Sequence, residues 1–279
     1  MPKSLRILRR EMIDLFKENN IESPEAESGL ILMHKLNIDK TQLITKDFEI
    51  SDQVLSDIYS IVERRIKGEP IQYIIGTCPF MDLEFFVNPS TLIPRPETEL
   101  LVELLADKIG KEKNVVWDIG CGSGCIGITL AYLCPNIKVY EIDISEDALK
   151  TAKKSAVKYG LDDRIEFIKF DILSGMPDIE KPDIIVSNPP YIPRKDIEDL
   201  QKEVRDFEPI SALDGGEDGL DFYRKIIEDA PLESGDFLAF EIGYDQGVQL
   251  MELMEKAGYK DNELIKDIAG LDRIVTGYR

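Results

Sequence analysis

Apolar residues recur at three- and four-residue spacing from the first positions of the chain. Leu5, Leu8, Met12, Leu15 and Phe16 form one such stripe, the mark of a helix with a single buried face. Asn19-Asn20 closes it. Ser23-Pro24-Glu25-Ala26-Glu27 opens a second helix, with proline in the first turn and acids near the positive end of the helix dipole. Ile50-Ser51-Asp52 opens a third, running through Leu55, Ile58, Ile61, Val62 and Ile66 to Gly68. Residues 1–70 are therefore expected to form a small helical domain. It holds no catalytic constellation, and His34 within it reads as a surface or satisfied residue.

After Gly68-Glu69-Pro70 the pattern changes. Tyr73, Ile74, Ile75, Phe80, Leu83, Phe85, Phe86 and Val87 fall in short runs punctuated by Gly76, Pro79 and Asp82, and residues 71–92 read as a β-hairpin linker. Next comes Ile93-Pro94-Arg95-Pro96-Glu97-Thr98-Glu99, ahead of a helical run through Leu100, Leu101, Leu104 and Leu105. This string reads either as a helix entry or as a stiff lip placing Arg95 or Glu97 near a pocket. From Val115 onward strand and helix alternate. Strands are expected at 115–118, 138–142, 165–170 and 183–187, then at 236–242, 262–266 and 273–277, with helices such as 146–159 and 219–229 between them. Residues 93–279 thus carry the pattern of a doubly wound α/β sheet, whose ligands lie at the carboxyl ends of the strands.

Four strand ends carry candidate chemistry. The first is Asp118-Ile119-Gly120-Cys121-Gly122-Ser123-Gly124. Glycines let the backbone approach a ligand closely and adopt positive φ. The dinucleotide fingerprint is G-x-G-x-x-G; here Cys125 stands at the third glycine position and Gly124 is added. Asp118 before the turn suits a cationic or ammonium-bearing ligand better than a diphosphate. The second strand ends Val139-Tyr140-Glu141-Ile142-Asp143. An acid about twenty residues beyond the glycines is expected to accept from ribose hydroxyls. Glu141 and Asp143 share a face by period two and compete for that role; Asp143 lies nearer the carboxyl end. The third strand ends Phe170-Asp171-Ile172, where Asp171 can accept from an adenine amino group while Ile172 packs on the ring. A surface turn is the competing reading there.

The fourth strand ends at Asn188-Pro189-Pro190-Tyr191. Proline lacks an N–H and pushes the residue before it to an extended backbone. Asn188 is therefore held stiffly at the sheet edge, its side-chain amide beside neighbouring carbonyls and a ring one step further. A rigid pair of acceptors beside a ring receives a planar group bearing NH2. The tetrapeptide does not choose between an aromatic amine and a carboxamide.

Composition narrows the partners. The 279 residues carry a formal net charge of -20, which opposes nucleic acid as the main partner. The four cysteines, Cys78, Cys121, Cys125 and Cys134, include no Cys-x-x-Cys pair, and with a single histidine no metal site is expected. Cys121 and Cys125 read as small apolar filling rather than a redox pair. No signal peptide or long apolar run is evident, so a cytoplasmic protein without membrane association is expected.

These parts together resemble the class I S-adenosylmethionine-dependent methyltransferases, in the branch that methylates amino groups. The resemblance narrows to the PrmC/HemK family, the glutamine N5-methyltransferases of class I peptide chain release factors. It runs through Gly68-Glu69-Pro70-Ile71-Gln72-Tyr73-Ile74, Leu92-Ile93-Pro94-Arg95-Pro96-Glu97-Thr98-Glu99 and Val186-Ser187-Asn188-Pro189-Pro190-Tyr191-Ile192. It continues through Phe207-Glu208-Pro209, Ala212-Leu213-Asp214-Gly215-Gly216, Asp218-Gly219-Leu220, Glu241-Ile242-Gly243 and Gly270 with Arg273, covering nearly the whole chain in order. Two departures are Cys121, where the family usually has threonine, and Glu141, where a small residue is common.

The resemblance implies a Rossmann-like, seven-stranded methyltransferase domain with an N-terminal helical bundle and a β-hairpin linker. It implies methyl transfer from S-adenosyl-L-methionine, leaving S-adenosyl-L-homocysteine, to the glutamine of the Gly-Gly-Gln motif in release factors 1 and 2. Asp118, Gly120, Cys121, Gly122, Ser123 and Gly124 are then expected at the methionine end of the cofactor. Asp143 is expected at the ribose, Asp171 and Ile172 at the adenine, and Asn188 between cofactor and substrate. Asn188, Pro189, Pro190 and Tyr191 are expected to bind the glutamine, with Asn188 and Pro189 catalytic. The N-terminal bundle and the hairpin are expected to help grip the release factor, and the enzyme to act as a monomer. Two competing readings are adenine N6 methylation of DNA or RNA, which the acidic charge opposes, and a regulatory protein that keeps a cofactor pocket without turnover.

Overall fold

The computed structural model describes residues 3–109 and 114–279. They form two compact units that divide between Gly76 and Thr77. The first contains β1 (Lys3–Ser4), α1 (Leu5–Glu18), α2 (Pro24–Leu36), α3 (Lys40–Thr45), β2 (Glu49–Ile50), α4 (Asp52–Ile66) and α5 (Ile71–Ile75). The apolar stripe of α1 joins Ile31 and Leu32 of α2 and Ile58, Ile61 and Val62 of α4 in one core. His34 is exposed on α2. The short α3 has little apolar periodicity to announce it. A capping box starts it: the Gln42 N–H donates to Asp39 Oδ1 at 2.7 Å, and the Asp39 N–H donates to Gln42 Oε1 at 3.1 Å.

One boundary differs from the sequence expectation. Ile71-Gln72-Tyr73-Ile74-Ile75 has strand-like composition, yet it forms a single helical turn. The Pro70 carbonyl accepts from the Tyr73 and Ile74 N–H groups, and Gly76, at φ +85°, ends the turn by donating to the Gln72 carbonyl at 2.7 Å. Ile71, Ile74 and Ile75 lie on one side of that turn, in the core of the first unit. The expected linker of residues 71–92 is thus not one element. Its first part belongs to the helical unit, and its hairpin belongs to the second unit.

The second unit begins with that hairpin, β3 (Thr77–Phe80) and β4 (Leu83–Phe86). It then runs α6 (Pro96–Ile109), β5 (Val115–Ile119), α7 (Cys125–Leu133), β6 (Lys138–Asp143), α8 (Glu146–Lys158), β7 (Ile165–Lys169) and β8 (Ile184–Ser187). It closes with α9 (Lys202–Phe207), α10 (Asp221–Asp229), β9 (Phe237–Glu241), α11 (Gly247–Lys256), β10 (Lys260–Lys266) and β11 (Asp272–Tyr278). The hairpin sits on α8: the Phe86 N–H donates to Ser155 Oγ at 3.0 Å, and the Glu84 N–H to the Tyr159 hydroxyl at 2.7 Å.

The seven-stranded sheet has the order β10-β11-β9-β8-β5-β6-β7. Pairs among β5 to β9 are parallel, and β11 is antiparallel to both β9 and β10. Every residue of β8 and β9 is buried, the consequence of helices on both faces. Val116, Val139, Val186 and Ala239 face a core completed by α6, α7 and α8. Trp117, Tyr140, Ile185 and Phe240 face the other core, completed by α10 and α11. The chain steps outward from β5 through β6 to β7, then returns to place β8 on the other side of β5. The crevice of a doubly wound sheet opens where the strand order reverses, so the carboxyl ends of β5 and β8 frame the site.

Arg65, only 3% exposed, grips Glu27 with two contacts, Nε to Oε2 at 2.5 Å and Nη2 to Oε1 at 3.1 Å. Removing one partner of a buried ion pair costs about 3–5 kcal/mol because it strands the other charge. Arg65 also donates to the Glu69 carbonyl, so Glu27→Ala is expected to lower stability by about 2 kcal/mol, read as a lower urea midpoint of the far-ultraviolet dichroism. A loss below about 1 kcal/mol would mean the pair behaves as a solvated one.

Candidate active site

The glycine loop is shaped by hydrogen bonds to the neighbouring strand. Gly120 and Cys121 both donate to the Ile142 carbonyl, at 2.8 and 3.2 Å, and Gly124 donates to the Cys121 carbonyl at 2.8 Å. Gly120, Gly122 and Gly124 have φ of +71°, +56° and +75°, which side chains resist. A Cβ on Gly124 would lie 2.6 Å from Ile128 Cδ1, so this glycine serves the packing of α7 and does not line the cavity. Gly120, Cys121, Gly122 and Ser123 do line it.

Asp118 departs from expectation. It is wholly buried and does not line the cavity. It pairs in register with Glu141 on β6, beneath the loop. Its Oδ2 accepts from the Gly127 N–H at 2.9 Å, near the start of α7, while its Oδ1 and both Glu141 oxygens lack partners. Its charge therefore serves a helix start rather than a cationic ligand. Burial pushes Asp118 up to about 6, opposed by the Gly127 bond. Burial, then the neighbouring Asp118, pushes Glu141 well above the usual carboxylate range. A proton is thus retained within the pair.

Asp143, the last residue of β6, does line the cavity. Its two oxygens accept from the Gly122 N–H at 2.9 Å and the Ser145 N–H at 2.8 Å. Burial raises it and these bonds oppose the rise. Of the two acids on β6, Asp143 alone faces the cavity. All four cysteines are free and buried, and burial drives the Cys121 and Cys125 thiols far above their ordinary range, which suits packing rather than nucleophilic work.

The cavity measures about 530 Å³. Ile142, Ile144, Phe170, Ile172 and Leu173 make one apolar slot beside Asp143 and Asp171. Asp171 is exposed at the rim, its Oδ1 accepting from the Leu173 N–H at 3.0 Å, so it both caps a turn and borders the slot. Around the glycine loop the other border is Leu92 to Arg95, Thr98 and Asn188 to Pro190. An apolar slot with acids at its edge, continuous with a loop whose Gly120 presents no side chain to the space, fits a nucleoside joined to a slender tail.

The second half of the site is held by distant residues. Ser187 Oγ donates to the Ile119 carbonyl at 2.6 Å, tying the ends of β8 and β5. Asn188 Nδ2 donates to Thr98 Oγ1 at 3.4 Å. Glu208, buried, accepts from the Ile93 N–H at 3.2 Å and pairs with Arg95 at 2.5 Å, so the Ile-Pro-Arg-Pro string is clamped against the Phe-Glu-Pro block. A Cβ on Gly215 would sit 2.7 Å from the Pro190 carbonyl oxygen, and one on Gly219 would sit 2.3 Å from that of Tyr191. Gln246 Nε2 donates to the Tyr191 carbonyl at 3.0 Å. Tyr191 itself does not line the cavity; it packs against the core between the sheet and α10 and α11, and burial pushes its hydroxyl up to about 12.

Comparison with known proteins agrees with this architecture. Residues 8–76 match the PrmC N-terminal domain, and residues 96–204 match the methyltransferase small domain. A release factor glutamine methyltransferase of Clostridium botulinum is 39% identical over 277 residues, covering 97% of this chain and 98% of its own. The chain belongs to the release factor glutamine methyltransferase family. Relatives of the same name include one from Thermodesulfovibrio yellowstonii, 40% identical with 95% of each chain covered. Another, from Neisseria gonorrhoeae, is 40% identical with 91% of this chain and 93% of its own covered. Among solved structures, the hMettl16 catalytic domain in complex with MAT2A 3'UTR hairpin 6 superposes with a TM-score of 0.57 at 16% identity, over 84% of each chain. A methyltransferase from Pyrococcus furiosus gives 0.51 at 17% identity, over 77% of this chain and 96% of its own. At these identities they share the class I methyltransferase fold.

In this member of the family, the buried Asp118–Glu141 pair makes a pH-dependent contribution. An acid whose folded-state pKa is raised stabilises the fold below its unfolded value, and that contribution is lost as pH rises through the folded value. Stability is therefore expected to fall as pH rises from about 4 through about 6, where Asp118 titrates, and to go on falling as Glu141 ionises above that. Glu141→Gln removes the Glu141 part of that titration, leaves Asp118, and offers Asp118 a fixed N–H in place of the proton held by the pair. Its stability should vary less over that range and exceed the parent's by about 1–2 kcal/mol at the alkaline end. Urea titrations at several pH values check this; parallel curves for the two proteins would refute it.

Proposed function

We propose that this chain transfers the methyl group of S-adenosylmethionine to the side-chain amide nitrogen, N5, of the glutamine in the Gly-Gly-Gln motif of class I peptide chain release factors. The observation that carries the reading is the juxtaposition of Asn188 with the glycine loop across the joined ends of β5 and β8. The full-length similarity to release factor glutamine methyltransferases supplies the substrate class. When bound, the cofactor supplies an electrophilic methyl group on a sulfonium. Gly120 to Ser123 would hold its methionine end, Asp143 its ribose hydroxyls and Ile172 its adenine.

A carboxamide nitrogen is a weak nucleophile because its lone pair is delocalised into the carbonyl. Asn188 lines the cavity and its Nδ2 donates to Thr98, so we assign Oδ1 as the atom offered to substrate. Oδ1 and the Pro189 carbonyl accept the two N–H hydrogens of the substrate amide. These acceptors fix its rotation and stabilise positive charge growing on nitrogen; the thioether leaves with the S–CH3 bond pair, one N–H proton passes to water, and rate comes from positioning and preorganised dipoles. The stiff Pro-Pro backbone costs little further ordering when substrate arrives. Adenine methylation draws no support from the names of the relatives, and a net charge of -20 opposes binding a polyanion.

We further assign release factors 1 and 2 as the substrates, a monomer as the active form, the cytoplasm as its compartment and the helical first unit to release factor recognition. If removing residues 1–76 left a folded enzyme with an unchanged KM for release factor, that last assignment would fall. Asn188→Ala is expected to leave cofactor affinity within about twofold while lowering methylation of a release factor by about 10²–10³. Calorimetry and labelled-methyl transfer measure the two, and mass mapping should place the methyl group on the Gly-Gly-Gln glutamine. Loss of cofactor binding in step with turnover, or methylation elsewhere, would contradict the mechanism.

A further inference from the structure

Glu241 ends β9, one position beyond Phe240, which pairs in register with Ser187. The next residues of the two strands, Glu241 and Asn188, therefore stand side by side. Glu241 is 3% exposed, does not line the cavity, and its Oε2 has no partner. Its backbone is fixed from the other face, where the Tyr223 hydroxyl donates to its carbonyl at 2.8 Å. Thr98, 2% exposed, stands with Glu241 around the Asn188 amide and takes its Nδ2 at 3.4 Å. No step of the proposed mechanism uses this buried acid.

We propose that Glu241 is a positioning residue that, with Thr98, sets which end of the Asn188 amide faces the substrate. The inference rests on the reading of Asn188 as receptor for the glutamine amide. The two ends of a carboxamide are nearly identical in shape, so neighbours decide its orientation. An ionised carboxylate only accepts, so it draws the NH2 end inward and leaves Oδ1 for the cavity. A protonated Glu241 gains an O–H donor and accepts more weakly, which opens the flipped amide, whose NH2 would oppose the substrate NH2. Burial pushes Glu241 up to about 7, and hydrogen bonding from Thr98, the charge of Arg273 and hydrogen bonding from Asn188 oppose the rise, while Glu97 adds to it. The titratable groups facing it are Glu97 of α6, Arg273 of β11, Tyr191 after β8, Cys125 of α7 and Tyr223 of α10. Burial keeps both tyrosines and the cysteine neutral near pH 7, so Glu97 and Arg273 are the charged neighbours.

The test is nuclear magnetic resonance of the full chain labelled with 15N-asparagine and without cofactor. The Asn188 side-chain signals are assigned by their loss in Asn188→Ser or Asn188→Asp. They should titrate between about pH 6 and pH 8 in the parent and stay fixed in Glu241→Gln. In kinetics, Glu241→Gln should lower kcat about 10²-fold, with the KM for release factor and the cofactor Kd within about twofold, and should remove the acidic limb of the kcat profile. An Asn188 signal that does not titrate in the parent would overturn the proposal, and that measurement needs no folded variant at position 241. Parent-like kcat in Glu241→Gln would also overturn it. If Asn188→Ala methylates release factor normally, the reading of Asn188 as receptor for the glutamine amide fails, while the titration still reports the Glu241–Asn188 contact.

Discussion

The bond from Ser187 Oγ to the Ile119 carbonyl, 2.6 Å long and sealed from solvent, sets the spacing between the two halves of the site. Register alone brings Ile119 and Ser187 level on adjacent parallel strands. Beyond them the strands diverge into loops, one turning back through Gly120 and the other running straight through Asn188-Pro189. Parallel ladders end in unpaired carbonyls, and a buried unpaired carbonyl is costly. The serine satisfies that carbonyl and fixes the divergence in the same contact. The contacts of Asp143 with the glycine loop and of Thr98 with Asn188 then hold the two sides in place.

Four acids end or approach the carboxyl edge of this sheet, and their fates differ for a clear physical reason. Asp143 receives two backbone N–H groups and meets the cavity, so it can hold charge where a ligand needs it. Asp118 receives one, and Glu141 none that the geometry satisfies, beneath a helix whose Gly127 leaves no room for a side chain: a Cβ there would be 2.5 Å from Glu141 Oε1. Glu241 lies between these extremes, closed off from the cavity but in contact with residues that line it. Carboxylates at one sheet edge thus divide into an acid that lines the cavity, a buried pair and the acid proposed above to orient Asn188. Access to N–H donors decides which.

Much of this was readable along the chain because buried parallel strands are continuous apolar runs that stop abruptly at Gly or Pro. That is why β5, β8, β9 and the glycine turn match their expected positions within a few residues. Asp143 stood out as the acid closest to the strand end. The orientation of Asp118 was not readable: a strand-end acid faces ligand or core according to which helix covers it, and α7 covers this one. Thr98, Ser187, Glu208 and Glu241 acquire their roles through contacts with partners far away in sequence, so no local pattern announces them. The turn at Ile71–Ile75 misled for a different reason. Its β-branched composition argues for a strand, but Pro70 and the left-handed Gly76 bracket a single helical turn, and backbone punctuation outweighs propensity over so short a run.

An acceptor pair at a strand end is chemically ambiguous, since it fits any planar NH2. What surrounds it here removes freedom rather than adding contacts to the reacting group. Glu208 clamps the Ile93–Arg95 lip, Gly215 and Gly219 allow backbone to lie directly on Pro190 and Tyr191, and Gln246 bridges the Tyr191 and Gly219 carbonyls. Each clamp joins segments that are far apart in sequence, and each acts on the backbone next to Asn188 or on the opposite rim. A weak nucleophile such as a carboxamide gains most from such rigidity, because misplacement by a single ångström costs about 10²-fold in rate. The sequence blocks that carry the family resemblance coincide with these clamps, so the recognisable part of the sequence is the part that fixes the backbone around Asn188.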